Sequence, residues 1–184
     1  MKKRKFSSPY YAKDYFSKDI LPTNVYAGRK TIRQPVPYRR HDELEFLLIR
    51  GGAGIVTVNA RSFPVQRGSL LCFSPGHFHK LELGKGSKLE ISECLVNSGV
   101  YFYITACPYY QSTAVLPTPP VYAQLDEART EQTEKLIDNL ASLCGAVPIT
   151  ENQPAFFQLM KLFGLMVVYE VSTENCMPLK DIFT

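Results

Sequence analysis

The chain reads as a mainly β protein, an antiparallel barrel or jelly roll followed by two packed α-helices. Between His41 and His79, short apolar segments are separated by Gly51-Gly52, Gly54, Asn59 and Gly68, the punctuation of antiparallel hairpins. From Leu125 onward the apolar period changes to that of a helix. With 184 residues, 45% of them hydrophobic and 12% aromatic, the chain can bury one core and carry a small helical annex.

Residues 1–30 are aromatic and basic with few periodic apolar positions, and read as an amino-terminal arm holding one short strand. Their Lys2-Lys3-Arg4-Lys5 run concentrates much of a net charge of only +4, and is expected to be a solvated end and not a nucleic-acid patch. Residues 31–123 form the barrel and its closing linker. His41, Glu43 and Glu45 stand at alternate positions leading into a strand from Leu44 to Arg50, so all three are expected on one face, continued by Leu47 and Ile49. Ionisable groups on such a face point to a lined interior. Further strands are expected at Ile55 to Val58, around Phe63 and Val65, and in the apolar run before Ser74-Pro75-Gly76, after which come His77 and His79. Lys88 to Val96 and Val100 to Ile104 have the branched and aromatic content of closing strands. Pro108, Pro117, Pro119 and Pro120 then forbid a central strand or helix and mark a linker over 106–123.

Residues 124–184 read as a helical tail. Asp126 can cap a helix whose Leu136, Leu140 and Leu143 share a face, with Gly145 placed to end it. A second helix starts near Asn152 to Pro154 and carries two apolar stripes. One runs through Phe156, Met160, Phe163, Val167 and Val171; the other through Leu159, Leu162, Met166 and Tyr169. Two stripes serve either a helix sandwiched between its neighbour and the barrel, or a second copy of the chain.

Several classes are disfavoured. Five cysteines (Cys72, Cys94, Cys107, Cys144, Cys176) include no Cys-x-x-Cys pair, and the basic start is not followed by an apolar signal region, so a reducing cytoplasm is expected. Gln158, Lys161, Gly164 and Glu170 interrupt the longest apolar stretch, which argues against a membrane span. There is no Gly-x-Ser-x-Gly elbow, no glycine loop opening a helix and no zinc-finger spacing.

The ordered series of a basic residue, His41, Glu45, Gly52-x-Gly54, the Ile55 strand, Phe63 and Val65, Gly68, Ser74-Pro75-Gly76 and His79 resembles the cupin barrel. More narrowly it resembles the amino-terminal sensor domain of AraC-type transcription regulators. That resemblance implies a small-molecule effector in the barrel, a homodimer through the helical tail, and DNA binding by a carboxy-terminal pair of helix-turn-helix units. No such units occur here, and Met177 to Thr184 resembles the approach to the first of them; the chain is either a sensor fragment cut just before that domain, which the resemblance favours, or a naturally short protein.

Metal-dependent cupins present two histidines and a glutamate from a first motif and one histidine from a second. At the first histidine position this chain has Arg39, leaving His41, Glu45 and His79. Three readings follow: a metal site of two histidines and one carboxylate, a recognition site in which Arg39, His41, Glu45 and His79 bind the effector, or a self-satisfied structural cluster. The expectation is the second, with no cofactor, no metal, no catalytic residue, and a sugar or other small polar or acidic effector. The alternative is a metal-dependent cupin oxygenase or isomerase. His77 is expected to be a solvated loop residue.

Overall fold

In the computed structural model of the chain, residues 25–105, 121–144, 149–168 and 177–178 are described. In chain order they form β1 (Val25–Ile32), β2 (Val36–Arg39), β3 (Leu44–Gly51), β4 (Ala53–Val58), β5 (Arg61–Gln66), β6 (Ser69–Phe73), β7 (His79–Leu83) and β8 (Leu89–Val96). Then follow α1 (Ser98–Thr105), β9 (Val121–Gln124), α2 (Glu127–Leu143), a 3-10 turn (Ile149–Glu151), α3 (Gln153–Val168) and the two-residue β10 (Met177–Pro178). The strands make two antiparallel sheets, ordered β1-β8-β3-β6-β9 and β10-β5-β4-β7-β2.

Alternation along β3 decides what each sheet face does. Leu44, Phe46 and Leu48 point outward into a core shared with Ile137, Leu140, Leu159 and Phe163 of the helices. Leu47 and Ile49 point inward, to a second core with Val56, Val58, Phe63 and Val65 of the other sheet. Covered on both faces, β3 reads as an almost unbroken apolar run. The β class and the two terminal helices agree with the sequence reading, but no ladder joins the two sheets into a closed barrel among the described residues. Where they meet beside β9, Tyr122 stacks on Phe63 at 5.3 Å and donates to the Pro64 carbonyl at 3.2 Å. Among the described residues, side chains and not a ladder join the two sheets there.

β1 pairs along its whole length with β8 and crosses the expected arm boundary at residue 30. The rest of that arm, 1–24, lies outside the described residues, as do 106–120 of the expected linker. The linker's last residues form β9, which pairs with β6 and is an edge strand among the described residues.

Val100 to Ile104, expected as a strand, belong instead to α1. Asn97 is its cap, accepting from the Gly99 N–H at 2.9 Å, and Val100, Tyr101 and Ile104 turn into the helical core. A local cap and the helical spacing of those three residues outweigh β-branched and aromatic content, which is a context-dependent preference.

Asp126 caps α2 as expected, accepting from the Arg129 N–H at 2.8 Å. The buried face, however, is Thr130, Thr133, Ile137 and Leu140, with Leu136 and Leu143 only partly covered. The two threonines disguise that face: their hydroxyls donate to the Asp126 and Arg129 carbonyls and so enter the core satisfied. Residue Gly145 lies outside the described residues. Asn152 caps α3, accepting from the Ala155 N–H at 3.2 Å, and donates to the Leu143 carbonyl at 2.8 Å, which ties the two helices together. Both expected stripes of α3 pack into the chain's own core at Phe156, Leu159, Met160, Leu162 and Phe163. Tyr169 and Val171 fall outside the described residues.

Backbone geometry at the β3–β4 turn generates a test. Gly52 has φ +84, and a Cβ there would overlap the Lys88 carbonyl; Gly86, at φ +74, has open space around it. Gly86→Ala should cost about 1 kcal/mol from the backbone strain alone, and Gly52→Ala about 2 to 5 kcal/mol because strain and overlap add. Urea denaturation of both variants checks this, and equal losses would contradict it.

Candidate functional site

Two loops bring the expected residues together. Arg39 ends β2 and is the ladder partner of His79, which opens β7. After β6, the Ser74-Pro75-Gly76 turn folds back so that the Gly76 N–H donates to the His41 carbonyl at 2.8 Å. Glu45 comes from the inward face of β3, 1% exposed. Arg39, His41, Glu45 and His79 thus meet at one end of the space between the sheets.

Their hydrogen bonds define protonation states. The Arg39 Nε–H donates to His79 Nε2 at 2.9 Å, so that nitrogen is bare and the proton sits on Nδ1, which donates to the His77 carbonyl at 3.2 Å. Burial drives the His79 pKa down to about 4, and Arg39 and His41 add to the effect against the pull of Glu45. His41 behaves oppositely. Its Nε2–H donates to Glu45 Oε2 at 2.9 Å, while Nδ1 lies 3.1 Å from the Glu43 carbonyl and 3.4 Å from the Glu43 carboxylate. Burial alone would lower its pKa, but the bond to Glu45 and the charges of Glu45 and Glu43 outweigh that and raise it. For Glu45, burial favours the neutral form, yet His41, His79 and Arg39 together hold it ionised, down to about 2. The Arg39 guanidinium lies 3.7 Å from its other oxygen.

Beside this cluster is a cavity of about 170 Å³. Arg39, Glu45 and His79 line it, with apolar walls that include Leu47, Val56 and Phe73. Phe73 stacks on the His79 ring at 5.0 Å. His41 is not part of the lining; it stands behind Glu45. His77, expected in solvent, is partly buried, and its Nδ1 accepts from the Ser74 N–H at 3.2 Å, bracing the turn.

Two lining residues escape the sequence reading. Glu93, 2% exposed, points inward from β8 opposite Leu47 and forms an ion pair with Lys30 of β1. Burial and the nearby Glu45 charge raise the Glu93 pKa, while Lys30 pulls it down. A signal was present: Leu89, Ile91 and Glu93 share one face, and a carboxylate there has no solvent to face.

Chemically the site offers a few convergent polar groups on apolar walls, which can bind and orient a small molecule. Burial pushes the Cys72 and Cys94 thiols far above their usual value, which removes them as nucleophiles. His41, Glu45 and His79 offer metal-ligating atoms within 4.8 Å of one another. The fit to a metal nevertheless fails, because the lone pair that His79 would give to it already accepts from Arg39.

The two facing sheets, the helical layer and this polar interior define a cupin-type ligand-binding domain. A family model described as the AraC-like ligand binding domain matches residues 24–159, and the chain belongs to that family. Among solved structures, ToxT from Vibrio cholerae O395, an AraC-family regulator bound to a substituted butenoic acid, is similar with TM-score 0.52 and 7% identity. That similarity covers 80% of this chain and 57% of ToxT. A cupin protein from Bacteroides fragilis (20% identity, TM-score 0.38) covers 42% of this chain and 69% of its own. A putative mannose-6-phosphate isomerase from Ralstonia eutropha JMP134 (11% identity, TM-score 0.38) covers 41% and 76%. None of the curated proteins compared matches the chain. No helix among the described residues is long and apolar enough to cross a membrane.

Histidine protonation gives a pH test. On unfolding, His79 returns from about 4 to the ordinary 6.5, so the unfolded chain takes up a proton that the fold refuses, and stability falls as pH drops through that window. Glu45 adds a loss from 4.5 down to about 2, since the fold holds it ionised. His41, with its raised pKa, works the other way and gains stability as pH falls toward 6.5. Urea unfolding between about pH 6.5 and pH 4 should therefore show a shallower loss for His79→Gln than for wild type. Parallel slopes would refute this assignment.

Proposed function

We propose that the chain is the effector-sensing and dimerising part of an AraC-type transcription regulator, and not an enzyme. The observation that carries this is the cavity where Arg39, Glu45 and His79 meet, inside the residues matched by the AraC-like ligand binding domain. The effector is a small compound, a sugar or another polar or acidic molecule, recognised by Arg39, Glu45 and His79 directly, with His41 fixing Glu45 from behind. Apolar walls with a few convergent polar groups suit such a ligand. Sequence-specific DNA binding belongs to a carboxy-terminal helix-turn-helix segment outside these 184 residues.

Screening sugars and small organic acids by thermal shift, then calorimetry on the hits, tests the sensing role. Arg39→Ala and His79→Ala should each weaken a hit by about tenfold or more with circular dichroism unchanged. Unchanged affinity in both would remove the cluster from the site.

Dimerisation through the helical tail is the second element. Phe157 of α3, 64% exposed and turned away from the core, supports it. Light scattering at high micromolar concentration should give a dimer, and Phe157→Glu should weaken it by about tenfold or more. A monomer at that concentration would contradict the proposal.

A further inference from the structure

The His41, Glu45 and His79 cluster is built like a metal site and does not fit a metal. Two ligand atoms held at about 2.1 Å by one ion lie roughly 3.0 to 3.4 Å apart. Here His41 Nε2 is 2.9 Å and His79 Nε2 3.5 Å from the same Glu45 oxygen. The candidate donor atoms are thus gathered within 4.8 Å of one another, in a pocket where Glu45 is 1% exposed. What differs is the occupant. The Arg39 Nε–H points at His79 Nε2 from 2.9 Å, on the lone pair that a metal would need, and the same guanidinium lies 3.7 Å from Glu45 Oε1. An ion bonded to His79 would meet that N–H and a fixed positive charge at contact distance.

We propose that Arg39 is the resident cation of this site: it occupies the His79 lone pair that a divalent metal would need, keeps the wild-type chain metal-independent, and hides a transition-metal site that its removal uncovers. A guanidinium is suited to this because it remains charged and offers donors to an imidazole and a carboxylate together. Two imidazoles and one carboxylate, once freed, suit cobalt, nickel, zinc or iron(II) with coordination positions left open. The inference does not depend on which effector is sensed or on whether one is.

Cobalt(II) is the probe, added to the tag-free full chain, whose only other histidine is His77. Wild type should show no visible d–d absorption at equimolar metal. Arg39→Ala and Arg39→Met should each bind one cobalt per chain, about 100-fold or more tighter than wild type, and adding His79→Ala should abolish the gain. Stoichiometric cobalt binding by wild type that shifts the His41 and His79 ring resonances would overturn the proposal. So would folded Arg39 variants that gain no affinity. A measurement on wild type alone decides the occupancy of the lone pair: nitrogen-15 spectra should show His79 protonated at Nδ1 with Nε2 accepting, and a proton on Nε2 would end the idea.

Discussion

One buried carboxylate organises the interior of this domain. Glu45 projects from the start of the inward face of β3, where the next residues on that face are Leu47 and Ile49. A bare charge in such surroundings would simply neutralise itself. It stays ionised because three elements deliver partners to it: His41 from the approach to β3, Arg39 from the end of β2, and His79 from the start of β7. Breaking a buried pair of this kind typically costs about 3 to 5 kcal/mol, so the placement of these loops and the charge are mutually dependent.

The same field gives two identical side chains opposite roles. His41 and His79 have ring centroids 5.0 Å apart, yet one is pushed toward the cation and the other toward the neutral ring. Partner identity makes the difference. His41 faces acceptors on both nitrogens, the Glu45 carboxylate and the Glu43 carbonyl, while His79 faces a donor that can never lose its proton. A neutral ring pinned between Arg39 and the Phe73 face is a rigid wall for the cavity.

Much of this was legible in the sequence, for reasons that can be named. Strand alternation placed Glu45 with Leu47 and Ile49, the hairpin glycines placed the turns, and Asp126 and Asn152 announced the helix starts. What stayed hidden depended on partners distant in sequence. Thr130 and Thr133 look polar, but their backbone bonds let them sit in the core. Lys30 and Glu93 belong to the cavity only because β1 pairs with β8 across most of the barrel-forming sequence. His41 was read onto the cavity wall by alternation, yet it precedes β3 and turns behind Glu45 to reach its second acceptor.

β1 illustrates how charge can specify alignment. Among the described residues it is an edge strand with one ladder, and such strands are prone to slip. Arg29 reaches outward to Asp138 on α2, its Nε 2.7 Å from the carboxylate, and the next residue, Lys30, reaches inward to Glu93. A shift of one position would turn Arg29 into the cavity and Lys30 toward the helix, separating both cations from their carboxylates at once. Exposed pairs like Arg29 with Asp138 add little to stability. As a matched set on opposite faces, the two pairs act as a key that admits a single threading of this strand.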